Sequence, residues 1–170
     1  MDRLADIEMN EQRFMGLLEK LIGVSEKLQN NPAQGLIPRE DCASDHVIET
    51  LKPYSTECGG PLDIKRISFV EGRGNLIIKY PGTGGPGKVC SFVGSHLDVV
   101  PASADGWDRN PFKLEVGSDG DTLYGRGTTD WYAIVHTTFL KSRLISLFHM
   151  YHIQPSASDT WLYSPTLWLR

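Results

Sequence analysis

Apolar residues between Leu4 and Leu28 recur at helical spacing, with Phe14, Leu17, Leu18, Leu21 and Ile22 on one stripe, which predicts an amphipathic helix. Asn30, Asn31, Pro32 and Gly35 end it in a loop. Asp41 is placed to cap a second helix that runs to about Leu51 and is stopped by Pro53. Strand patterns follow. Leu62–Val70 alternates only in part, with Leu62 and Ile64 on one side and Ile67 and Phe69 on the other, so either a bulge or burial on both faces fits. Asn75–Tyr80 and Val89–Val93 are short runs of β-branched and aromatic residues, separated by a PGTGGPG loop. Phe112–Val116 and Thr122–Tyr124 flank Gly117–Asp121 as a hairpin. Helical spacing returns from Ala133 to about His152, and the chain beyond Pro155 has no regular pattern. The order predicts an α/β fold in three layers, a mixed sheet flanked by helices.

At 170 residues the chain is long enough for one domain with a real core. Its net charge of −4 argues against nucleic acid or an anionic membrane as partner. Lys141 and Arg143 interrupt the most apolar stretch, so no membrane span is expected. The acidic N-terminus lacks the apolar segment of a secretory signal and fits poorly with a transit peptide, which leaves a cytoplasmic location as the expectation. Cys42, Cys58 and Cys90 are odd in number and widely spaced, which fits inert thiols better than disulfides or a thiolate metal site.

The composition changes at residue 130. All 17 glycines precede Trp131. Residues 1–130 hold 14 Lys+Arg against 20 Asp+Glu, whereas residues 131–170 hold 3 against 1 and contain no glutamate. Such a shift marks a segment of different character, so residues 131–170 are expected to be a tail not homologous to the body.

Candidate chemistry lies in two motifs. In SHLDVVP, Ser95–Pro101, His96 and Asp98 follow a strand at its carboxyl end, where α/β folds place their sites. Two residues apart in extended chain, they project to one side. Asp98 can then accept from one imidazole nitrogen while the other meets a metal, a relay that fixes the tautomer and raises ligand basicity. Alone, the pair is weak evidence and fits a structural or surface histidine better. In LYGRGTTD, Leu123–Asp130, Gly125 and Gly127 permit close backbone approach or positive φ, and Asp130 stands where a helix begins. A carboxylate there can bridge two cations about 3.5–4 Å apart, although a capped turn also fits the segment by itself. Two decoys are set aside. The GxxxxGK match at Gly82–Lys88 has Val89 where a phosphate loop needs Ser or Thr, and a strand follows it rather than a helix. His149 and His152 share a helix face with apolar neighbours and read as ordinary packing.

Taken in order, SHLDVVP, Trp107, NPF and LYGRGTTD form a pattern similar to the signature of the two-zinc metallopeptidase/deacylase family of acetylornithine deacetylase, succinyl-diaminopimelate desuccinylase, aminoacylase and glutamate carboxypeptidase. LKPYSTECGGPLDI and GRGNLIIKYPGTGGPGKVCSFVGSHLDVV look most like the plant-type acetylornithine deacetylases. The resemblance covers about residues 1–130. It implies that His96 binds one metal, that Asp98 is the catalytic-site carboxylate supporting His96, and that Asp130 bridges both metals. It further implies two zinc or cobalt ions per complete site. The implied substrate is a small N-acyl amino acid, foremost N-acetylornithine, hydrolysed to ornithine and acetate in arginine biosynthesis. Homo-oligomers are implied for full-length relatives.

The sequence also departs from the family. Its members continue with a paired Glu-Glu, further ligands and an inserted lid or dimerisation domain, none of which residues 131–170 supply. Trp131 and Tyr132 replace the small residues expected after Asp130. Two expectations therefore stand side by side. One is metal-dependent amide hydrolysis. The other is an incomplete, catalytically inactive form that binds metal weakly or associates with a full-length partner.

Overall fold

The computed structural model describes residues 10–81, 89–92, 96–129 and 159–163. Helix α1 spans Glu11–Val24 and opens on Asn10, whose side chain accepts from the Arg13 N–H at 2.9 Å. Leu17, Leu18, Leu21 and Ile22 are buried, the stripe that the spacing predicts, and Phe14 packs at its margin. The expected earlier turns, residues 4–9, lie outside the described residues. A 3-10 turn, Ser25–Leu28, carries the chain on to Leu28.

Helix α2 spans Asp41–Leu51 and buries Ala43, Ser44, Val47 and Leu51. Asp41 does not cap it, contrary to expectation. The N-cap position belongs to Glu40, which makes no capping bond. Its carboxylate is taken by Arg73, which donates from Nη2 at 2.8 Å and from Nε at 3.2 Å. Asp41 instead faces the Arg66 guanidinium at 3.8 Å.

Strands β1 (Asp63–Val70) and β2 (Arg73–Pro81) form an antiparallel pair, with Ile64 opposite Ile78 and Arg66 opposite Leu76. The register slips between Ser68 and Val70. The slip comes after the split in the pattern, since the pairing is regular from Asp63 to Ser68 and sets Ile64 and Ile67 on opposite faces. That second face is not buried, with Ile67 38% and Phe69 80% exposed. Strand β3, Val89–Phe92, follows the glycine-rich loop, as expected of a strand rather than a phosphate-binding helix. Strands β4 (Glu115–Val116) and β5 (Leu123–Tyr124) make the small hairpin. It is shorter than its pattern predicts, because the Phe112 N–H turns to Asn110 Oδ1 at 2.9 Å. Strand β6, Asp159–Tyr163, arises where no regular element was expected. It lies between β2, to which it is antiparallel, and β3, to which it is parallel, giving the order β1-β2-β6-β3. The pairing partners supply the order that residues 159–163 do not show by periodicity.

The sheet is mixed, and the expected α/β class holds. Leu76 and Ile78 of β2 meet Val47 and Leu51 of α2 and the buried face of α1 in one core, which also takes in Leu28, Leu62, Leu97 and Val99. Cys42 is half-buried and Cys58 exposed, both as free thiols. The stretch Ala133–His152, the pair His149 and His152, and the loop 82–88 lie outside the described residues. Among the described residues no helix is long and apolar enough to cross a membrane.

Candidate functional site

The chain from residue 96 to residue 99 is extended, and its side chains alternate. Leu97 and Val99 point into the core at 4% and 7% exposure, which turns His96 and Asp98 outward together. His96 Nδ1 lies 3.1 Å from Asp98 Oδ1 and 2.9 Å from the Asp98 carbonyl oxygen. A carbonyl oxygen only accepts, so the ring proton sits on Nδ1 and the lone pair of the neutral ring is on Nε2. The contact between the two side chains is the one that the spacing of two predicts.

The second oxygen of the carboxylate is also held. Asn30 Nδ2 donates to Asp98 Oδ2 at 2.7 Å. The backbone supports this contact, since Asn30 N–H donates to Val99 O at 2.8 Å and Val99 N–H to Leu28 O at 2.9 Å. Gln29 Oε1 accepts from the Ala102 N–H at 2.9 Å. The turn after α1 is thus a short strap laid along residues 98–102. Asp98 titrates below the usual carboxylate range, chiefly through the His96 bond and then through Asn30, against partial burial that acts the other way. In the sequence Asn30 marks only the end of a helix. Nothing local links it to Asp98, 68 positions away.

A cleft of about 190 Å3 opens beside Asp98, lined by Val99, Val100, Trp107 and residues 125–129. The glycines of GRG act in two different ways. A Cβ on Gly125 would lie 2.9 Å from Ile22 Cδ1, so this position needs glycine for close approach to α1. Gly127 has φ 97°, a conformation that favours glycine. The loop is thereby seated against the core, and Thr128 and Thr129 reach the same cleft as Asp98. Asp130, the expected bridging carboxylate, lies outside the described residues. Among the described residues no three His, Cys, Asp or Glu side chains converge to hold a metal.

Behind the site sits the Glu40–Arg73 pair, with Glu40 at 1% exposure. The hydrogen bonds to Glu40 raise the affinity of Arg73 for its proton, partial burial opposes this, and the charges of Glu40 and Asp98 add smaller parts.

Residues 92–140, a stretch that takes in His96, Asp98 and Asp130, match peptidase family M20/M25/M40. Over these residues the chain is similar to that family, the one its motifs resemble. It is 53% identical over 123 residues to the acetylornithine deacetylase of Arabidopsis thaliana, a match covering 72% of this chain and 27% of that protein. With the acetylornithine deacetylase of Dictyostelium discoideum it shares 50% identity over 151 residues, covering 85% of this chain and 33% of that one. The solved di-peptidase Dug1p of Saccharomyces cerevisiae superposes with a TM-score of 0.57 at 18% identity, over 91% of this chain and 32% of that one, a likeness of fold. The chain spans 27% and 33% of the lengths of the two curated relatives.

Proposed function

We propose that the protein takes part in metal-dependent hydrolysis of the amide bond of an N-acylated amino acid, with N-acetylornithine, yielding ornithine and acetate, as the leading substrate. The observation that carries this reading is the doubly anchored carboxylate: Asp98 meets His96 Nδ1 with one oxygen and Asn30 with the other. An imidazole whose proton is fixed on Nδ1 presents Nε2 as a Lewis base, the form a divalent cation requires. These residues therefore fit zinc or cobalt at His96, with Asp130 as the carboxylate to bridge a second ion. When bound, such a cation supplies Lewis acidity toward the acyl carbonyl and lowers the pKa of water toward neutrality. The chain's own residues do the positioning. Asn30 orients Asp98, Asp98 keeps the His96 proton in place, and the cleft beside them has room for a small molecule. A cytoplasmic setting and a place in arginine biosynthesis go with this substrate.

A second reading rests on one observation, the absence of glutamate from residues 131–170. A general base is needed to carry the proton from water to the leaving amine. In this reading, residues 1–170 by themselves hold a cation weakly and turn nothing over.

One experiment separates the two. Cobalt is titrated into the protein by calorimetry and visible absorption, and ornithine release from N-acetylornithine is assayed in parallel. Turnover lost on chelation and in His96→Ala supports hydrolysis. Folded protein with His96-dependent cobalt binding and no turnover supports the second reading. Cobalt binding indifferent to His96→Ala overturns both.

A further inference from the structure

Strand β1 stands first in the order β1-β2-β6-β3, so among the described residues its outer edge pairs with no strand. Every residue from Lys65 to Glu71 is exposed. Ile67, Phe69 and Val70 are the large apolar side chains among them. The register slip passes over Phe69, which has no Cα partner on β2 and is the most exposed large apolar residue among those described. An unpaired edge that also exposes apolar side chains is a template for another strand.

The charges along β1 select a second copy of the same strand as that occupant. A dyad perpendicular to the sheet pairs β1 with itself antiparallel, and the choice of central residue fixes every opposing pair. Centred on Lys65, Arg66 or Ile67, the dyad sets like charges together: Lys65 on Lys65, Arg66 on Arg66, or Asp63 on Glu71. Centred on Ile64 it matches Asp63 with Lys65 but leaves Ile67, Phe69 and Val70 outside the paired stretch. Centred on Phe69 it sets Ile67 against Glu71. Centred on Ser68 it sets Ile67 against Phe69 and Lys65 against Glu71, each twice, with Arg66 against Val70. Opposite charges and apolar–aromatic pairs across strands favour pairing, and like charges oppose it.

The existing contacts of these side chains are compatible with that register. Arg66 is already engaged by Asp45 and faces Asp41, so its charge is answered within the protomer and its aliphatic stem is left to meet Val70. Lys65 pairs with Asp63 at 3.2 Å, but both side chains are solvent-exposed, where such a pair contributes little and Glu71 of the second copy can share the lysine.

We propose that β1 joins two copies of this chain edge to edge, antiparallel about Ser68, with Ile67 against Phe69 and Lys65 against Glu71 on both sides of the dyad. The pairing uses no residue of the His96–Asp98 site and stands or falls separately from amide hydrolysis. One strand pair buries less than the about 1,200 Å2 at the lower end of stable interfaces, so the dimer is weak and reversible.

The test is sedimentation velocity on the whole chain across a dilution series, for wild type, Lys65→Glu, Glu71→Lys, the double variant and Phe69→Thr. All three positions are exposed, so each variant keeps the wild-type Tm. Wild type is expected to reach a dimer and stop there, because a dyad closes. Each single charge reversal weakens the dimer about tenfold. The double variant restores it, and so does an equimolar mixture of the two single variants, in which unlike charges again face each other at both ends. Phe69→Thr weakens it with no such rescue. Amide exchange at Lys65–Val70 slows as concentration rises. Wild type that stays monomeric, association that grows past two copies, or charge reversals that neither the double variant nor the mixture repairs each overturns the proposal. A dimer with unchanged exchange along β1 also overturns it, since the contact then lies elsewhere.

Discussion

Asn30 donates its side-chain amide to Asp98 Oδ2 at 2.7 Å, while the opposite oxygen of the same carboxylate meets His96 Nδ1 at 3.1 Å. A carboxylate gripped on both sides cannot rotate, so the imidazole it holds cannot either. Metal ligands whose outer partners are fixed in this way keep both tautomer and direction.

Asn30→Ala releases one grip. Cobalt affinity is expected to fall about tenfold. Stability is expected to fall by about 0.5–1.5 kcal/mol, since the bond is solvent-accessible. Gln29→Ala is the control, because Gln29 holds Ala102 and not Asp98. It should lower the urea midpoint similarly and leave cobalt affinity unchanged. Equal loss of affinity in both variants would contradict the assigned role of Asn30.

Gly125→Ala forces a methyl to within 2.9 Å of Ile22 Cδ1 and 3.0 Å of Ile22 Cγ2, and Ile22 has no exposed surface into which to retreat. Overpacking of this kind costs about 1–3 kcal/mol. Ile22→Val removes Cδ1, so in the double variant the two losses should be less than additive. A double-mutant cycle by urea denaturation checks the sign. Additive losses would place the Gly125 effect in the backbone and not in this contact.

Glu40→Ala leaves the Arg73 guanidinium without its bidentate partner at a site where 33% of the Arg73 side chain remains exposed. Breaking a fully buried pair costs about 3–5 kcal/mol. Partial access to water lowers the expectation here to about 2–4 kcal/mol. Glu40→Gln retains the acceptor and should lose less. Chemical denaturation of the two variants gives the comparison, and equal losses would count against the charge.

Asp119 is held down to about 2, first by the Thr122 hydroxyl and then by the N–H groups of Thr122 and Asp121. Its folded value lies below the ordinary carboxylate value of 3.8, so its contribution is complete above that value. It is lost as pH falls through about 2. Protection of the Thr122 amide in the β4–β5 turn should therefore weaken between about pH 4 and pH 2. In Asp119→Asn this protection should be independent of pH over the same range. A carboxyl midpoint near the ordinary value in a carbon-detected titration would refute the assignment.

The sequence by itself determined whatever depends on near neighbours. The 3.6-residue stripe of Leu17, Leu18, Leu21 and Ile22 defined the buried face of α1, because a helix repeats its geometry every turn. The spacing of two in His-x-Asp put His96 and Asp98 on one side, because an extended chain alternates. The glycines of GRG announced a backbone that a Cβ would obstruct, although whether by contact or by φ was decided only in space. Tertiary structure alone decided the partners that lie far apart in the chain. Asn30 reached Asp98, Glu40 at the N-cap position turned its carboxylate to Arg73, and residues 159–163 became a strand between β2 and β3. No local periodicity encodes such pairings. They depend on which distant surfaces the core brings together, and a carboxylate takes the guanidinium or amide that the fold sets against it over the backbone N–H that sequence order offers.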